Sequence, residues 1–176
     1  MKYFAYLALI IFSCGITVFG QKAASTPAKP DPAKQVREVF DTLIEGIRDV
    51  DAEKAMSVYE KSDRILFFNN NGTATLGWET MKSNRESGYA KTTNVTIDVT
   101  GVRIEMLGSR AAYLTCKWKQ TQEYEGKPES ASGRMTLIFK LIGKEWKVVH
   151  LHTSPDNPPP TRPVLDSEKG KTETKP

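Results

Sequence analysis

Val95-Thr96-Ile97-Asp98-Val99-Thr100-Gly101-Val102-Arg103-Ile104-Glu105-Met106 is the stretch on which the fold turns. Val95, Ile97 and Val99 alternate with Thr96, Asp98 and Thr100, the period of a strand with one face in the core. After Gly101 the apolar phase moves by one residue, to Val102, Ile104 and Met106. Side chains alternate strictly along a strand, so a one-residue flip at a glycine predicts a β-bulge, and a bulge bends its sheet.

Three more long strands follow. In Ala112, Leu114, Cys116 and Trp118 one face is apolar, while Tyr113, Thr115, Lys117 and Lys119 look the other way. Met135, Leu137, Phe139 and Leu141 set the next strand against Arg134, Thr136 and Lys140. The last, Glu145 to Ser154, is apolar on both faces at its middle, which places it inside the sheet. Turns at Leu107-Gly108, Glu125-Gly126-Lys127 and Ile142-Gly143-Lys144 predict an antiparallel meander.

Upstream the period changes. Asp31-Pro32 is an N-cap followed by proline at the first helical position. Val36, Val39, Phe40, Leu43, Ile44, Ile47 and Val50 then mark one helical face. Asp51 caps a second, shorter helix that buries Ala55, Met56 and Tyr59. Ile65 to Phe68 is a short strand, turned at Asn71-Gly72 into Thr73 to Leu76. Trp78 to Tyr89 is a third helix, with Trp78, Met81, Arg85 and Tyr89 stacked along one side. Helices first and a bent sheet afterwards give an α+β fold, three helices on a curved, mostly antiparallel sheet, shaped as a cone with an open mouth.

Within that order of elements stand Trp146-Lys147-Val148-Val149-His150-Leu151-His152-Thr153-Ser154, Gly133-Arg134-Met135-Thr136 and Gly77-Trp78. With these motifs the chain resembles the nuclear transport factor 2-like superfamily, and its SnoaL-like branch in particular. The closing strand is also similar to that of the calcium/calmodulin-dependent kinase association domain. The superfamily holds isomerases, dehydratases, cyclases, transport adaptors and oligomerisation modules, so the resemblance implies shape rather than chemistry. Its steroid isomerases keep a carboxylate base near the end of the first strand. Leu66-Phe67-Phe68-Asn69 has no acid there, which argues against that chemistry.

The flanks are of other kinds. Met1-Lys2, the apolar run Tyr3 to Phe12 and Val18-Phe19-Gly20 form a signal-peptide pattern over residues 1–20, so we expect a secreted or periplasmic protein. Ile11-Phe12-Ser13-Cys14 loosely resembles a bacterial lipobox, and lipidation of Cys14 is the minor alternative to a product without an anchor. No segment is long enough for a membrane span. Residues 21–31 read as a flexible linker, residues 32–155 as the domain, and residues 156–176 as a disordered Pro-rich, charged tail. The formal charge of +4 in 176 residues shows no basic patch interleaved with aromatics, so nucleic acid is not an expected partner. After cleavage Cys116 stands alone, and no intrachain disulfide can form.

The candidate site residues each carry a plainer alternative. His150 and His152 lie two apart on a strand and share a face. They could serve as a proton shuttle inside the cone or sit as hydrogen-bonded structural groups at its mouth; with no third ligand in view we expect no metal, and no cofactor. Asp63 is either a general base or a turn former. Trp118, Gln120 and Gln122 continue an inward face and point to a partly polar cavity, unless the strand leaves the core there. Tyr59, Trp78 and Tyr89 either line that cavity or pack as core. Arg134 either binds an anionic ligand or works on the outer face, in an ion pair or at a subunit contact.

The expected function is ligand binding in the cone without strong catalysis, by a protein dimeric through the open face of its sheet. The alternatives are an isomerase-, dehydratase- or cyclase-type enzyme using His150 or His152, and an oligomerisation module.

Overall fold

A computed structural model of the chain describes residues 31–156. The expected signal peptide with Cys14, the expected linker as far as residue 30 and the expected tail after residue 156 lie outside the described residues. The elements in order are α1 (Pro32–Arg48), α2 (Ala52–Ser57), β1 (Leu66–Phe68), β2 (Ala74–Leu76), α3 (Trp78–Tyr89), β3 (Thr92–Met106), β4 (Ala111–Tyr124), β5 (Lys127–Ile142) and β6 (Glu145–Pro155).

The first helix forms as its sequence dictates. The Asp31 carboxylate accepts from the Ala33 amide at 3.0 Å, and Pro32 occupies the first turn, where a missing N–H costs nothing. Val36, Phe40, Leu43, Ile44 and Ile47 are buried on its inner face, and a side chain the size of Phe40 contributes about 2–3 kcal/mol when taken from water. Asp51 caps α2 by accepting from the Lys54 amide at 2.8 Å. The two helices meet at Gly46, where an added Cβ would lie 2.5 Å from the Ala55 nitrogen.

The sheet runs β2-β1-β6-β5-β4-β3, and every pairing is antiparallel except β1 with β6. Strand β6 lies inside it, as its two apolar faces require. The three helices pack on the curved, open sheet, and the core between them is built on Phe40, Tyr59, Phe67, Leu114, Leu137 and Phe139. Glu125 and Gly126 both take positive φ, 50° and 76°, and join β4 to β5 in a two-residue turn with Tyr124 opposite Lys127.

Three irregularities shape the sheet. The first lies between Thr100 and Arg103, where Gly101 has φ 62°, at the position that the phase flip marks. The second lies between Thr93 and Thr96, with Asn94 at φ 54°, and no flip in the sequence announces it. The third lies in β6. Ile138 pairs with His150, but the next residue, Phe139, pairs with Val148, leaving Val149 as the extra residue. Trp146 and Val148 therefore face the core before this bulge and Leu151 faces it after, while His150 and His152 turn to the other side.

Candidate functional site at the mouth of the cone

The face of β4 that carries Leu114 and Trp118 continues through Gln120 and Gln122 to the open end of the cone. Here the core gives way to two adjoining cavities that share Gln122. One, of about 510 Å³, is lined by Asn70, Trp118, Gln120, Gln122 and the Glu129–Ala131 stretch of β5. The other, of about 320 Å³, lies under α3 between Met81, Arg85, Tyr89, Gln122, Tyr124 and Leu151. Both fall in the size range of small-molecule sites.

Polar groups in this region are incompletely paired. The Gln120 amide donates to the Gln122 side-chain oxygen at 2.7 Å, and Gln122 donates to Glu129 at 3.1 Å. Arg85 donates to the Tyr89 hydroxyl at 2.7 Å, with its guanidinium carbon 5.4 Å from that ring's centroid. Among the described residues, four side-chain atoms are shut off from solvent without a partner: the Tyr59 hydroxyl, Asn70 Oδ1, Arg85 Nε and Trp118 Nε1. Two of them belong to residues of the larger cavity and one to a residue of the smaller. Tyr59 is 2% exposed and packs edge-on against Phe67, and burial pushes its hydroxyl up to about 12. That hydroxyl lies within electrostatic reach of Arg85 and Tyr89.

Trp118, Gln120, Gln122 and Tyr89 thus come together at the mouth, with Tyr59 behind them in the core. Trp78 does not join them: its indole N–H donates to the Met56 carbonyl at 3.3 Å, and Lys61 sits 4.7 Å over its ring. Asp63 is exposed beside Trp78, in a separate surface cleft with Lys61, Leu76 and Glu79. Arg134 is exposed on the far face of the sheet, opposite Lys117 and Ser154, and makes no ion pair among the described residues.

The histidines require a correction. A proton shuttle inside the cone needs them on the face of Val148. The bulge at Val149 puts them on the face opposite Leu151 and Trp118, with their rings 5.7 Å (His150) and 5.4 Å (His152) from that of Phe68. No group of three or more His, Cys, Asp or Glu side chains among the described residues is placed to hold a metal ion. Arg85 is the site residue that sequence reasoning passed over. Its signal was a charged residue in the stack formed by Trp78, Met81 and Tyr89.

Comparison with known proteins places the fold. The SnoaL-like domain matches residues 36–158. The chain belongs to the SnoaL-like domain family. Among solved structures, a nuclear transport factor 2-like superfamily protein of Salmonella enterica aligns at TM-score 0.66 and 19% identity, over 76% of this chain and 96% of its own. A candidate dehydratase of the same superfamily from Streptomyces avermitilis gives TM-score 0.64 and 18% identity, over 72% and 96%. A candidate calcium/calmodulin-dependent protein kinase II association domain from Xanthomonas campestris gives 0.60 and 18%, over 75% and 92%. No curated protein matches in sequence. At these identities the likeness is one of fold, and the SnoaL-like domain here owes its site to its own side chains. No helix of the described residues is long and apolar enough to cross a membrane.

Proposed function

We propose that this SnoaL-like domain is exported and binds a small, partly apolar ligand in the mouth of its cone. The observation that carries the reading is the pair of adjoining cavities sharing Gln122. Trp118, Met81 and Leu151 offer apolar walls there, while Gln120, Gln122, Arg85 and Tyr89 offer polar groups that converge on the same space. A few placed polar groups in an otherwise apolar cleft are what a ligand site needs to fix orientation.

The charges at the walls support binding without strong catalysis. Glu129 is the one carboxylate among the described residues lining the two cavities; it is exposed and already accepts from Gln122. A general base works best partly buried, next to the proton it removes. A homodimer through the outer sheet face belongs to the same proposal, and exposed Phe68 with half-buried Tyr113 and Ile138 supports it. Native mass spectrometry of the mature protein from its own host compartment tests both parts. A co-purifying small molecule on a two-chain species is the expected result. An empty protein in a larger assembly would replace this reading with that of an oligomerisation module.

A further inference from the structure

Three of the four unpartnered buried atoms are hydrogen-bond donors: the Tyr59 hydroxyl, Arg85 Nε–H and Trp118 Nε1–H. Asn70 Oδ1 is the one acceptor among them. Arg85 and Trp118, the two of these donors that belong to cavity-lining residues, call for a ligand that brings acceptors. Arg85 adds a charge, because a guanidinium stays protonated at every physiological pH. Among the described residues its one side-chain partner is the Tyr89 hydroxyl, and it makes no ion pair with Asp or Glu. A partly buried cation without a counter-charge is costly to hold, and the penalty falls when an anion arrives beside it.

We infer that the ligand of this domain is a small carboxylic acid, whose carboxylate is held by Arg85 with help from the Tyr89 hydroxyl while its apolar body lies toward Trp118. The inference rests on the proposed ligand site and names the chemistry of its occupant. Charge and geometry agree on the direction. Arg85 and Tyr89 sit in the smaller cavity, which no acid among the described residues lines, whereas the larger one has Glu129, held by the shared Gln122. The ligand's anionic end therefore belongs under α3, and its uncharged end belongs between Trp118 and Ala131. A planar carboxylate suits a guanidinium, since the two make parallel charge-assisted hydrogen bonds. The Tyr89 hydroxyl accepts from Arg85 and keeps its own hydrogen to donate to the ligand.

The test uses the mature protein with benzoate and its neutral isostere benzamide, followed through the indole N–H resonance of Trp118. Wild type is expected to bind benzoate at least about tenfold more tightly than benzamide, as a charge-assisted pair requires. Arg85→Gln should erase that preference, and Arg85→Lys should keep much of it. Equal binding of the two compounds by wild type would overturn the carboxylate inference and leave the ligand site standing. A benzoate preference that survives in Arg85→Gln would overturn Arg85 as the anchor. Failure of both compounds to move the Trp118 resonance at millimolar concentration would overturn the site itself. Should Arg85→Gln not fold, wild type and Arg85→Lys still decide the matter through the benzoate-to-benzamide ratio.

Discussion

Replacing Gly133 by alanine measures how closely the end of β6 is pressed against β5. Gly133 pairs with Trp118 on one side and Pro155 on the other, and it is buried on the inward face of its strand. A Cβ at that position would lie 2.0 Å from the Ser154 carbonyl oxygen and 3.3 Å from the Pro155 Cα. Real Cβ contacts are essentially never under 3.0 Å, so the backbone of β6 must retreat by about 1 Å, the difference between 2.0 and 3.0 Å. The obstacle is main chain and cannot rotate away as a side chain would. Overpacking against backbone costs about 3 kcal/mol, which lowers the melting temperature of a domain this size by about 10 °C. Gly101→Ala is the matched control: its φ of 62° is strained for alanine, but nothing lies within 4 Å, so about 1 kcal/mol is expected. Urea and thermal denaturation followed by circular dichroism read both variants. A Gly133→Ala protein within about 0.5 kcal/mol of wild type would refute the close approach.

Two other predictions concern chemistry. Burial pushes the Cys116 thiol up to about 11 and the Tyr59 hydroxyl up to about 12, from ordinary values of 9.0 and 10.0. Above pH 9 the unfolded chain gives up protons that the folded chain keeps, so stability should fall as the pH rises from about 9 through about 12; thermal melts across that range check it, and a melting curve flat to pH 11 would count against it. His150→Gln and His152→Gln lie across the sheet from the cavities and should change ligand affinity by less than about twofold, measured by the same titration, whereas a turnover-linked or tenfold loss would restore the histidines to the site.

Most of the fold could be read from the chain because its local signals agree with one another. Asp31-Pro32 and Asp51 mark helix starts by chemistry that the caps then use. The third helix runs over Trp78 to Tyr89 as expected, while β1 and β2 begin one residue later than the apolar runs suggest. The polar end of β4 was also legible, since Gln120 and Gln122 keep the inward parity of Trp118. Arg85 was harder to see. An arginine in an apolar stack is as often a solvent-reaching stem as a buried charge. What distinguishes the two is the set of partners around it, and those come from Tyr59, Tyr89 and β4, up to tens of residues away in the chain.

The histidines show where parity arguments stop. Trp146, Val148, His150 and His152 are all even-numbered, and an unbroken strand that buries the first two must bury the others. The bulge at Gly101 is legible because a glycine stands where φ becomes positive and the apolar phase changes with it. The bulge at Val149 has neither sign. Val149 carries no positive φ, so no glycine is needed, and the strand is apolar on both faces, so no phase change is visible. Strand β6 pairs with β5 on one side and with β1 and Tyr59 on the other, and only that two-sided pairing reveals the extra residue. Its effect on chemistry is large. One inserted residue moves two imidazoles out of the cone and leaves Arg85, the tyrosines and the glutamines as the polar groups at its mouth. On the proposed reading, a site that would have offered proton transfer near neutral pH instead offers a fixed positive charge and hydrogen-bond donors, groups suited to an anion.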